Sequence, residues 1–188
     1  MELREGLYDI DKLWEIVCNA DDDRYFELIE GEIFEMSPPG GEHGAIAGEI
    51  YYFFRLFDPQ RKLGIPTVDA GYHPTDKRDT VLSPDVAFTK FERAPDPFPS
   101  SWVPLMPDIA VEVKSPSNIV AELHRKAATY LQHGTQLVWI VMPDRKGVEV
   151  CRHDDNGNMQ IEFIGADGAL SGESVLPGFT LELALLFP

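Results

Sequence analysis

Two short segments carry the residues that could do chemistry. Ser83-Pro84-Asp85-Val86-Ala87-Phe88 sets a carboxylate at the head of an apolar run. Pro107-Asp108-Ile109-Ala110-Val111-Glu112-Val113-Lys114 sets a carboxylate and an amine two residues apart. Successive side chains of a strand point to opposite faces. Ile109, Val111 and Val113 therefore form one apolar face, while Asp108, Ala110, Glu112 and Lys114 share the other. A charged pair beside so apolar a face is costly unless something uses or neutralises it. A divalent metal with a phosphate ester would do both.

If the two segments are neighbouring strands, Asp85 and Glu112 can grip one hard cation. Mg²⁺ (or Mn²⁺) takes oxygen ligands and keeps several waters, so two carboxylates plus the backbone carbonyl of Val113 form a sufficient set. Lys114 is placed to orient or deprotonate an attacking water, or to stabilise charge on the phosphate. Each residue also has a purely structural explanation. Asp85 can begin a strand, and Glu112 with Lys114 can form a surface ion pair worth ~0–1 kcal/mol.

Other candidates are auxiliary. His43 opens a helix after a glycine-rich loop, where it can meet phosphate or simply pack. Lys126 follows Glu122 by four residues, a favourable exposed helical pair, or it serves the site. Among Glu27, Glu30 and Glu32, alternation separates the first from the others, and Glu27 is the auxiliary carboxylate. Asp108 shares the Glu112 face but lies ~13 Å along the strand, too far for the same ion.

The elements that must position these residues can be read in order. Asp9 caps a short helix from Ile10 to Val17, and Asp21-Asp22-Asp23 reads as a solvated turn. Tyr25–Ile29 and Ile33–Met36 flank Glu30-Gly31-Glu32 as a hairpin. Ser37-Pro38-Pro39-Gly40-Gly41 breaks the chain before a helix over Glu42–Phe57, with Ile46, Ile50, Phe53, Phe54 and Phe57 as its buried stripe. Strands are expected at Thr67–Tyr72 and Pro84–Phe88. Five prolines over 91–107, the last of them Pro107, mark an irregular surface loop. The strand Pro107–Lys114 is central. A helix follows over Ile119–His133, capped by Ser117 or Asn118, with Val120, Leu123, Ala127, Tyr130 and Leu131 facing inward. Leu137–Met142 is almost wholly apolar, as for a strand covered on both faces. Val148–His153 and Met159–Ile164 form a hairpin around Asp154-Asp155-Asn156-Gly157-Asn158. The sum is an α/β sandwich around a mixed sheet.

Composition bounds the rest. The chain's 188 residues suit a single domain spanning 1–188. No run approaches the ~20 apolar residues of a membrane span, and the acidic Met1–Glu5 start has no signal core. Two cysteines, Cys18 and Cys151, do not make a disulfide scaffold. These features favour the cytoplasm. The formal net charge of −16 comes from 16 basic and 32 acidic residues. DNA binding usually rests on a basic footprint, so a nuclease with this balance must gather its few cations at the site and rely on metal.

The pattern Pro84-Asp85 followed by Glu112-Val113-Lys114 resembles the PD-(D/E)xK nuclease superfamily, the restriction-endonuclease-like fold. Tyr25 to Glu32, Met36-Ser37-Pro38-Pro39 and His43-Gly44 look like the opening of a large bacterial family of endonuclease-like proteins within it. Glu112 to Ser117, then Lys126, Tyr130, Gly134 and Val138-Trp139-Ile140-Val141, look like its second half, and Leu176-Pro177-Gly178-Phe179 like its ending. The resemblance implies a mixed central sheet flanked by helices, with the N-terminal hairpin as an extension. It also implies Mg²⁺-dependent (or Mn²⁺-dependent) endonucleolytic cleavage of DNA. Asp85 and Glu112 would take the metal positions and Lys114 the lysine position. The resemblance further implies that a lysine on the following helix can substitute where that one is lacking; this chain has both Lys114 and Lys126, which leaves the role of Lys126 open. The alternative is a catalytically silent member of the fold that serves as a binding module. A homodimer would suit cleavage of both strands. The apolar Leu181, Leu183, Leu185, Leu186 and Phe187 would help build it or complete the monomer core.

Overall fold

The computed structural model describes residues 8–20 and 24–187. The expectations for Asp21-Asp22-Asp23 and for Met1–Glu5 lie outside these residues. Helix α1 (Ile10–Asn19) starts at Asp9, whose carboxylate accepts the Lys12 N–H at 2.9 Å. This satisfies one of the orphan donors of a helix start. Strands β1 (Tyr25–Ile29) and β2 (Glu32–Met36) pair antiparallel with Ile29 opposite Glu32. The two-residue loop puts Glu30 at φ 52° and Gly31 at φ 83°, the left-handed pair that a tight hairpin turn requires. This hairpin is a sheet of its own, hooked to residues 79–81 by backbone hydrogen bonds between Leu28 and Val81, at 2.9 and 2.7 Å, and from the Gly31 N–H to the Asp79 carbonyl at 2.8 Å.

Helix α2 (Gly41–Phe57) follows, then β3 (Gly64–Val68), β4 (Val86–Lys90), β5 (Ile109–Val113), α3 (Val120–Gln132), β6 (Leu137–Met142), β7 (Gly147–His153) and β8 (Met159–Gly165). The six strands form one sheet in sequence order. β5 and β6 run parallel, joined across α3, and the other neighbours are antiparallel. The sheet is therefore mixed, flanked by helices, with an N-terminal hairpin beside it.

Both faces of the central strands are covered, which explains their near-continuous apolar runs. On one face Ile46, Ile50 and Phe54 of α2 pack on Phe88, Ile109, Val111 and Trp139. On the other, Leu123, Ala127, Tyr130 and Leu131 of α3 pack on Ala87, Ala110, Val138 and Ile140. Alternation along β5 sends Val111 to α2 and Ala110 to α3, and Glu112 falls on the α3 side.

Some local expectations shift. The strand placed at Thr67–Tyr72 is Gly64–Val68 instead, an edge strand that tolerates Pro66. Helix α3 begins at Val120 with Ile119 at its cap and no side-chain cap bond. Asn118 instead accepts both the N–H and the hydroxyl of Ser115, at 2.8 Å each, closing the loop that leaves β5. Two short strands, β9 (Ala169–Ser171) and β10 (Thr180–Glu182), pair as a separate ribbon. Leu181, Leu183 and Leu186 are buried in the core, whereas Leu185 is exposed. No helix among the described residues is long and apolar enough to cross a membrane.

Candidate functional site

Register, more than sequence proximity, assembles the site. Val68 of β3 lies opposite Val86 of β4, and Val86 opposite Val111 of β5. One residue further along each strand come Asp69, Asp85 and Glu112, so three carboxylates occupy one rung across three adjacent strand ends. Side chains at such positions are nearest neighbours, with Cβ atoms about 4.5–5.5 Å apart. The rung continues through Ile140 of β6 to Glu149 of β7.

Asp85 stands just before β4. Its Oδ2 accepts the Val113 N–H at 2.6 Å and lies 3.1 Å from His43 Nε2. Thus the backbone of the Glu112 strand holds the carboxylate of its neighbour. His43 comes from the first turn of α2, whose glycine-rich start leaves the approach open: a Cβ at Gly40, Gly41 or Gly44 would touch nothing within 4 Å. The hydrogen bond to Asp85 raises the His43 pKa against the opposing effect of burial. His43 Nδ1 is buried without a hydrogen-bond partner among the described residues.

Glu112 is only 5% exposed. Its Oε1 accepts the Tyr130 hydroxyl at 2.8 Å and its Oε2 the Lys126 ammonium at 2.9 Å. Lys126 Nζ also lies 3.0 Å from Oε1 of Glu27, which is 2% exposed and accepts the Ser83 N–H at 2.8 Å. Burial pushes the Glu112 carboxyl up to about 7. Lys126 pulls it down, while Asp85 and Glu27 push it up again. Burial also works against the Lys126 charge, but Glu112 and Glu27 outweigh it and hold that pKa well above the ordinary lysine range.

Asp85, Glu112, Glu27, His43 and Lys126 are therefore brought together. Lys114 makes no ion pair or hydrogen bond with them: its ammonium pairs at 3.2 Å with Asp144, which sits in the 3₁₀ turn Pro143–Arg145 that follows β6. Of Val113, it is the N–H that meets Asp85. Asp108 sits at the other end of β5, bound by Arg93 at 2.9 Å and the Lys90 N–H at 2.8 Å.

Two neighbours were not expected from the sequence. Asp69 has left-handed backbone at φ 49°, and its N–H reaches the Asp85 carbonyl at 3.4 Å. Burial and Asp85 raise its pKa, with His43 opposing. Asp tolerates that conformation better than most residues, but the sequence carried no mark of it once the strand was placed over Thr67–Tyr72. Tyr130 reads as core on its helical stripe, yet a buried tyrosine hydroxyl usually finds a partner, and here the partner is Glu112.

Glu112 and Glu27 share the one ammonium of Lys126, while Asp85 lies against His43 and pushes the Glu112 pKa up, a repulsion that a hard cation between Asp85 and Glu112 would relieve. Among the described residues no group of three His, Cys, Asp or Glu side chains could hold a metal ion. Two carboxylates completed by backbone, water and substrate oxygens are the donor set Mg²⁺ accepts, so the residues fit that ion.

A family model described as "Uma2: Putative restriction endonuclease" matches residues 12–184. No curated protein matches the chain. Among solved structures, the crystal structure of a "putative nuclease belonging to DUF820" from Anabaena variabilis is similar at 21% identity. The match covers 96% of this chain and 98% of that one, with a TM-score of 0.81, and it establishes a shared fold.

Proposed function

We propose, from the premise that this chain belongs to the Uma2 family of restriction-endonuclease-like proteins, that it is an Mg²⁺- or Mn²⁺-dependent endonuclease hydrolysing DNA phosphodiester bonds. The observation that carries the reading is the rung. Asp85 and Glu112 stand side by side on adjacent strand ends, with Lys126 on the second of them.

Asp85 and Glu112 would hold the ion, with the Val113 carbonyl as a third oxygen. Such an ion, when bound, polarises a phosphoryl oxygen and lowers the pKa of an attacking water. The remaining work belongs to the chain. Lys126 is the lysine that serves the phosphate. Its raised pKa keeps it cationic, so it cannot accept a proton from water, and it acts by stabilising charge. Glu27 and Glu112 hold its ammonium between them. His43 steadies Asp85 from the open end of α2 and, when protonated, adds positive charge there. Lys114, drawn to Asp144, takes a secondary part near the departing end of β5. We read residues 1–188 as one domain working in the cytoplasm.

The test is nicking or linearisation of plasmid DNA with Mg²⁺ or Mn²⁺. Activity should disappear with EDTA and in Asp85→Ala and Glu112→Gln, while circular dichroism stays unchanged. Undiminished cleavage in either variant refutes the assignment. Mn²⁺ binding without any cleavage would favour the silent binding module.

A further inference from the structure

We propose that the outer edge of β8 joins a second copy of this chain, β8 against β8, so that two six-stranded sheets become one. The two edges of the sheet are built differently. At one, β3 carries Pro66 at its centre, and a proline leaves an edge without an N–H to offer. At the other, β8 is longer, has no proline or lysine, and no strand lies beyond it.

The ladder with β7 fixes which backbone groups face outward. The Asp154 N–H donates to the Asn158 carbonyl at 2.8 Å, so these two residues form a hydrogen-bonded pair. Such pairs alternate along an antiparallel ladder, and the register then bonds Gln160, Glu162 and Ile164 to β7. Met159, Ile161 and Phe163 turn their N–H and C=O groups the other way. Among the described residues no backbone group meets them there.

The sequence of this edge is complementary to itself. A two-fold axis through Ile161 sets Ile161 against its own copy and Met159 against Phe163, each pair exchanging both backbone hydrogen bonds. These side chains share one face, on which Ile161 and Phe163 are each 41% exposed. On the other face Gln160 meets Glu162 on both sides of the axis, an amide donor against a carboxylate. Centring the axis on Glu162 would instead oppose two carboxylates. A foreign strand would have to match this alternation, whereas a second copy supplies it at every position. Glu162 is the only charged residue of 159–163, and Arg152 pairs with it at 2.6 Å. The repulsion between two chains of net charge −16 therefore arises away from the seam, where physiological salt screens it.

Residues opposite each other share a face, so the axis stands perpendicular to the sheet. The rung that carries Glu112 runs through Ile140 and Glu149 to Phe163. Both copies consequently present Glu112 on the same side of the joined sheet.

Sedimentation velocity of the full chain over a concentration series tests the proposal. Wild type should pass from monomer to dimer. Ile161→Lys opposes two ammonium groups at the axis and should weaken association about tenfold or more. An equimolar mixture of Ile161→Lys and Ile161→Glu should recover the dimer, and loss of folding cannot imitate that recovery. Ile161→Pro removes an outward N–H, spares the β7 ladder, and should leave folded monomers by circular dichroism. A monomer at every concentration, a dimer untouched by Ile161→Lys, or variants that associate no better mixed than alone would overturn the pairing. So would an Ile161→Pro chain that fails to fold, because that N–H would then serve β7. Plasmid cleavage bears only on the nuclease reading, and the pairing stands or falls without it.

Discussion

Replacing Glu112 by Gln should change how stability depends on pH in a way that isolates the strain in the site. In the folded protein burial lifts this carboxyl from 4.5 to about 7. Between those values the folded state holds a proton that the unfolded chain releases, so stability falls as pH rises. The shift of roughly 2.5 pH units corresponds to about 3 kcal/mol at 1.36 kcal/mol per unit. The penalty is absent below pH 4.5, grows through pH 7 and is then complete. Gln keeps the acceptor for Tyr130 but cannot ionise, so the variant does not incur it. Urea unfolding of both proteins in EDTA, from pH 4.5 to 8, measures the difference. Wild type should lose about 3 kcal/mol relative to Glu112→Gln across that range. A difference that stays constant with pH would refute the claim that Glu112 is buried among excess negative charge. Repeating the series with Mg²⁺ should flatten it, because a bound cation favours the ionised carboxylate at every pH.

Lys126→Met should cost about 3–5 kcal/mol near neutral pH, since it leaves Glu27 and Glu112 buried without their cation, and it should abolish cleavage. Lys114→Ala breaks a pair with an exposed partner and should cost no more than about 1 kcal/mol by denaturation, with cleavage reduced but measurable. A greater loss of turnover at Lys114 than at Lys126 would reverse the roles given to them. Tyr130→Phe removes the hydrogen bond to Glu112 and should cost about 1.5–3 kcal/mol, and titration with Mn²⁺ followed by electron paramagnetic resonance should show weaker binding. Phe54→Ala should cost about 3–5 kcal/mol in thermal and chemical denaturation, because its ring touches Phe88, Trp139 and Phe179 at centroid distances of 5.4, 5.7 and 5.1 Å.

The carboxylates of the central strands were legible because their apolar neighbours announce β4 and β5, and alternation along β5 sends Glu112 away from Ile109, Val111 and Val113. Glu27 was legible for the same reason, as the residue on the opposite face from Phe26 and Leu28. What alternation cannot reveal is which of two cations a carboxylate meets. Lys114 shares the Glu112 face by spacing, yet it lies one residue past the end of β5, where Asp144 from another strand's end draws it off. Lys126 reaches Glu112 only because α3 lies across that face, a tertiary fact. Asp69 was obscured by the misplacement of its strand, since Pro66 argues against a strand unless that strand lies on an edge. The ribbon β9–β10 is too short for a period of two to show.

The hairpin that supplies Glu27 stands outside the six-stranded sheet, tied through Leu28 and Gly31 to residues 79–81, which precede β4. Asp85 and Glu112, by contrast, are built into the ends of the sheet's inner strands. On the proposed nuclease reading, divergent proteins of this architecture can reshape or lengthen the appendage while the two inner carboxylates stay put, so that what is cut and how it is cut become separately adjustable properties.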